Sequence, residues 1–137
     1  MSAGLALRMR WLPPLLLVFG CGGVSEFAAN TTAGFLADAA PAARAYFDYE
    51  TAGYAAANGI VQLEGLHRVA RSNERIMLSL AQAYVAYAFG WVMDRQERAQ
   101  LEGRYEDADH EQARAYLMYG RAQQMVLAVM RRQSPQI

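Results

Sequence analysis

Apolar side chains recur along this chain at three- and four-residue steps, the spacing of one helix face. From Arg44 to Ala70 the repeat runs through Tyr49, Gly53, Ala56, Ile60, Leu63, Leu66 and Val69. Gly53, Gly59 and Gly65 each weaken such a helix by up to ~1 kcal/mol relative to alanine, or else mark the close approach of a neighbouring helix. A second helix is predicted over residues 74–94. Its stripe of Ile76, Leu80, Ala83, Tyr84, Tyr87 and Trp91 is widened by Met77, Leu78, Ala81, Val85 and Ala88. A helix apolar nearly all round packs on more than one side, so this one should be the central element. Ser72 or Asn73 would cap its start. The third pattern runs from Asp107, a candidate N-cap, through Ala113, Tyr116, Leu117, Gly120, Met125, Leu127 and Val129 to Arg132, and Pro135 stops it. Between the last two helices the charge density rises, Arg98 and Glu102 are spaced to pair, and Gly103 breaks the pattern. No alternation of period two competes anywhere. The fold class is all-α, built of antiparallel helix hairpins.

The two ends of the chain depart from this pattern. Residues 22–43 are small and weakly patterned, and predict a tether with one short helical turn around Phe27 to Leu36. Before them, Arg8 and Arg10 precede an apolar run from Trp11 to Phe19, which is too short to span a bilayer and has the layout of an export signal. The run closes on Val18-Phe19-Gly20-Cys21, which resembles the bacterial lipobox. The Cys21 thiol would take up a diacylglycerol, and small Gly20 would let the peptidase reach the scissile bond. The implied organisation is a lipoprotein signal peptide at 1–20, a lipidated tether at 21–43, a helical domain at 44–132 and a tail at 133–137. Gly22 replaces the aspartate that commonly marks inner-membrane retention, which favours the periplasmic face of the outer membrane over the inner one.

Composition adds mostly exclusions. The chain has 137 residues, enough for one small domain, with thirteen basic and thirteen acidic side chains. All the basic ones are arginine. Balanced charge predicts no nucleic-acid partner. A single cysteine excludes an intramolecular disulfide. Removing Arg8 and Arg10 with the leader leaves eleven arginines against thirteen acids. His67 and His110 lack partners at metal spacing, and His67 near a helix end predicts a surface side chain. Asp107, Asp109, His110 and Glu111 lack the glycine and distal glutamate of a calcium loop, so helix capping accounts for them better. No phosphate loop or nucleophile–base arrangement is present. No cofactor, metal or enzymatic activity is predicted. The chemistry that remains is aromatic. Tyr84, Tyr87, Trp91, Tyr116 and Tyr119 are the candidates for a ligand or partner groove between helices, against the plainer account that they pack the core.

Helices two and three resemble a degenerate tetratricopeptide hairpin, with Ser72-Asn73 at the linker, Leu80 and Tyr84 at repeat positions, and some eighteen residues inserted between the helices. Leu63-Glu64-Gly65-Leu66, Ser72-Asn73-Glu74, the stretch LSLAQAYVAYAFGWVMD, Ala115-Tyr116-Leu117 and Gly120-Arg121-Ala122 together resemble the T-component (TatT) lipoproteins of TRAP transporters. The resemblance covers residues 21–132. It implies a periplasmic lipoprotein, anchored through Cys21, that associates with the transporter's solute-binding subunit and handles a small hydrophobic or organic ligand. Family members are commonly longer, so it also implies a truncated array or a homo-oligomer. The alternative is a non-enzymatic helical scaffold lipoprotein that docks other envelope proteins.

Overall fold

The computed structural model describes residues 20–136, all-α among those residues. Residues 1–19 of the expected leader lie outside them, as does the side chain of Cys21. Five α-helices follow one another: α1 (Gly20–Arg44), α2 (Tyr49–Val69), α3 (Glu74–Tyr87), α4 (Met93–Leu101) and α5 (Tyr105–Gln133). A five-residue π segment, Ala88–Val92, joins α3 to α4 without a loop. Glu74–Leu101 is therefore one 28-residue rod, reaching about two turns beyond the end that the apolar pattern predicts. The rod is long and apolar enough to cross a membrane by length and composition. Within the described residues it is the central packing element, with Ile76, Leu80, Ala88 and Val92 each 0 % exposed.

Short connections make sequence neighbours antiparallel neighbours in space. The cap of α2 is Asp48, whose carboxylate accepts the Thr51 N–H at 2.7 Å, so the helix starts later than the pattern from Arg44 suggests. The Thr51 contacts also hold the Asp48 carboxyl below its ordinary range. Of the two candidate caps, Ser72 and Asn73, it is Asn73 that caps α3, accepting from Ile76 N–H at 3.0 Å. Its amide also donates to Asn30 on α1, so one side chain fixes two junctions.

Between α4 and α5 the expected insertion is a tight turn. Gly103 has φ +74°, its N–H donates to the Gln100 carbonyl, and Arg104 N–H reaches back to Ala99 at 2.8 Å. That is the left-handed glycine closure of a helix end. The charged residues on either side simply lengthen the two helices. Two expectations change in consequence. α5 begins at Tyr105, so Asp107 lies in its first turn and pairs with Arg104 instead of capping. Arg98 turns back to Asp94 at 3.1 Å, and Glu102 pairs with Arg104 at 2.8 Å. The hairpin arms are 28 and 29 residues long, whereas a whole tetratricopeptide repeat has about 34.

The main core gathers Ile60 and Leu63 of α2, Met77, Leu80 and Ala81 of α3, and Ala122, Met125 and Val129 of α5. Burying each of the larger aliphatic side chains stabilises by roughly 1.5–3 kcal/mol. Residues 21–43, which the sequence predicts as a tether with one short helical turn, lie within a 25-residue helix, Gly20–Arg44. α1 docks through Ala29 and Ala33 against Ala70 and Ile76. Its inward face consists of methyl groups, so apolar periodicity does not reveal it.

Candidate functional site

A groove of about 290 Å³ opens where α1, α2 and α3 meet. Its floor comes from α2. Ala52, Ala56, Gly59 and Leu63 follow at steps of four, three and four residues and so share one face. Leu36 and Ala40 wall it from α1, Ser79, Gln82 and Ala83 from α3, and the edge of Trp91 closes one end. The lining is uncharged, and the side-chain amides of Gln62 and Gln82 with the Ser79 hydroxyl supply its hydrogen-bonding capacity. The volume lies at the low end for a small-molecule site. It suits a small neutral ligand with one or two polar groups.

Trp91 is positioned by a group of contacts around the π segment. Its ring stacks with both Tyr49 (centroids 5.5 Å) and Tyr87 (5.8 Å). The indole N–H donates to the Tyr49 carbonyl at 3.0 Å. That approach is open because Gly53 sits beneath it. A methyl at Gly53 would come within 2.7 Å of Trp91 Nε1. Gly59 and Gly65 face open space, so the expectation of close helix approach holds at Gly53 alone. The Tyr49 hydroxyl has one proton to give. It lies 2.6 Å from the Gly90 carbonyl inside the π segment and 2.9 Å from the Asp94 carboxylate. Burial, and then the Asp94 carboxylate, raise the Tyr49 pKa.

The other aromatics are dispersed. Tyr84 is half-buried against the core, and its hydroxyl donates to Glu64 at 2.8 Å. Burial first, then that carboxylate, raise its pKa. Glu64 also receives Arg121 of α5 at 3.2 Å, so a single carboxylate joins α2, α3 and α5. Tyr119 reaches the Met93 sulfur at 3.1 Å. Tyr116 is 79 % exposed on the outside of α5. Of the five candidates, the structure brings Tyr87 and Trp91 together, and Trp91 alone lines the groove. Sequence reasoning did not find the alanine–glycine floor or Tyr49. The signal for the floor was the step of small residues from Ala52 to Gly59.

A second cavity, about 450 Å³, lies at the C-terminal end of α2 beside Glu64, His67, Arg68, Arg71 and Arg121. His67 is half-buried there, not a surface side chain, and its Nδ1 is enclosed without a hydrogen-bond partner among the described residues. Burial, ahead of the nearby arginines, lowers its pKa. Arg68 and Arg71 stand at the negative end of the α2 dipole, which accounts for their placement. Among the described residues, no group of three or more His, Cys, Asp or Glu side chains is gathered so as to hold a metal.

Residues 47–137 match the family model described as TRAP transporter T-component, which is more than half of the chain. The match begins two residues before α2 and takes in Tyr49, Glu64 and Trp91 with the whole rod and α5. No curated protein and no solved structure matches the chain.

Proposed function

The chain belongs to the TRAP transporter T-component family, and on that premise we propose that it holds a small neutral ligand in the α1–α2–α3 groove and associates with the transporter's solute-binding subunit. It is an accessory component of such a transporter. The proposal puts it on the periplasmic face of the outer membrane, anchored through an acylated Cys21, with a role in binding and not in catalysis.

The observation that carries the ligand reading is the uncharged alanine–glycine floor under Trp91. Small residues leave room where larger ones would have closed the seam. Trp91 is also the natural reporter. The chain has two tryptophans, and loss of the leader removes Trp11. A brominated octanol titrated into the mature protein should quench Trp91 saturably. Gly59→Leu, placed where nothing stands within 4 Å of a new Cβ, should fill the groove and abolish the saturable phase. Equal quenching in both proteins would sink the assignment. Cross-linking in envelopes tests the partner separately, through recovery of a TRAP solute-binding subunit.

One observation favours the scaffold alternative. Tyr116 and Leu117 stand 79 % and 71 % exposed side by side on α5, away from the groove. Recovery only of envelope proteins unrelated to transport, lost in Tyr116→Ser with Leu117→Ser, would favour that reading.

A further inference from the structure

We propose that α1 lies along the membrane surface, with Val24, Phe27 and Phe35 set into the lipid interface. The proposal rests on the reading of Cys21 as the acylated residue.

α1 has two apolar faces, and only one of them is used inside the protein. Ala29 and Ala33 face inward, 5 % and 1 % exposed. Val24, Phe27 and Phe35 are 68 %, 73 % and 72 % exposed. At about 100° per residue those three positions fall within an arc of about 80°, roughly opposite the docked alanines. Large exposed side chains aligned on one face mark an interaction surface, whereas scattered ones need no explanation. The polar residue inside the arc is Thr31. Its hydroxyl is 3.0 Å from the Phe27 carbonyl one turn back, so it brings no free donor to the surface. Glu26, the charged residue between Gly20 and Phe35, does not interrupt the arc, since it projects about 140° from the arc's centre. Asp38, one turn beyond Phe35 and on the same face, ends the apolar stretch.

The occupant follows from continuity. α1 starts at Gly20 and runs without a break through Cys21 and past Phe35. Val24 is three residues beyond the cysteine, about 4.5 Å along the axis. A loop between anchor and domain would let the body stand off the bilayer. A rigid helix starting at the acylated residue holds its first turns at the headgroups, where aromatic side chains are favoured. The helix then carries α2 and α3 with it, so the groove takes a fixed attitude to the membrane.

Spin labelling of the mature, acylated protein in phosphatidylethanolamine–phosphatidylglycerol vesicles tests this. Acylation occupies the Cys21 thiol, so a label can be placed singly by Phe27→Cys, Phe35→Cys or, as an exposed control on α2, Asn58→Cys. Labels at 27 and 35 should collide with dissolved oxygen several-fold more often than with a water-soluble nickel chelate, and the order should reverse at 58. Labels at 27 and 35 as open to the chelate as the control would overturn the proposal. So would dipolar broadening at 27 that vanishes on dilution with unlabelled protein, because a second copy would then cover the face. The intact mass of the same sample separates the two levels. A chain without acyl groups removes the anchor and the inference with it, whereas an acylated chain with its labels in water removes only the lying helix.

Discussion

The seam between α2 and α3 is held at its two ends by different chemistry. Toward the C-terminal end of α2, Glu64 collects the Tyr84 hydroxyl and the Arg121 guanidinium, and all three groups keep some contact with water. At the other end, Tyr49, Trp91 and Tyr87 stack above a glycine, with the indole N–H on a backbone carbonyl. Charge at a half-exposed site is screened, and it tolerates small shifts of geometry. An aromatic stack seated on a missing methyl tolerates very little. The groove lies between the two, on the side facing α1, with Trp91 of the aromatic end in its lining.

The largest expected effect is therefore steric. Gly53→Ala should cost about 1–3 kcal/mol in urea unfolding, because the new methyl meets the indole. Gly59→Ala meets nothing and should gain up to ~1 kcal/mol from helix propensity. Equal values for the two would show that the aromatic end is not tight. Next in size, Glu64→Ala should cost roughly 1–2 kcal/mol, since it leaves a half-buried Tyr84 hydroxyl unpaired. In a Tyr84→Phe background the same change should cost measurably less, and a double-mutant cycle that closes at zero would deny the coupling.

A smaller effect comes from His67, beside the polar end. Its pKa is lowered in the folded protein, so the unfolded chain binds the proton more readily. Stability should be full above the ordinary histidine value of 6.5. It should fall as the pH drops below that value and level off beneath the folded pKa. His67→Gln should flatten this slope in pH-dependent denaturation, and an unchanged slope would assign it to other groups. Smallest of all, Tyr116→Ser on the exposed face of α5 should shift stability by less than ~0.5 kcal/mol. A loss of several times that would show Tyr116 to be structural.

Much of this comparison was visible in the sequence, and the remainder was hidden for identifiable reasons. Helical class, a cap at Ser72 or Asn73 and the central position of the 74–94 pattern follow from spacing and residue type, whereas the family was legible as a resemblance that the family model bears out. α1 escaped because its docking face is alanine, which carries little hydropathy contrast. The rod's extension to Leu101 escaped because its last turns are charged and depend on α5, where Glu111 meets Arg95 at 3.3 Å. The candidate site was legible only at Trp91. Aromatic residues drew attention because they are large, whereas a cavity is made by what is small, and Ala52, Ala56 and Gly59 give no individual signal.

The π segment has a consequence for how such chains change length. A single widened turn accommodates an extra residue within a continuous helix, and Met93 N–H reaches back to the Ala88 carbonyl, five residues behind. Everything after it is turned about the rod axis relative to a regular helix. α3 can then pack between α2 and α5 while α4 follows α5. A relative shorter or longer by one residue therefore need not carry the difference in a loop. The gap can fall inside the central rod, at Ala88–Val92, and an alignment that forces it into a neighbouring turn would shift every contact of Trp91 by one position.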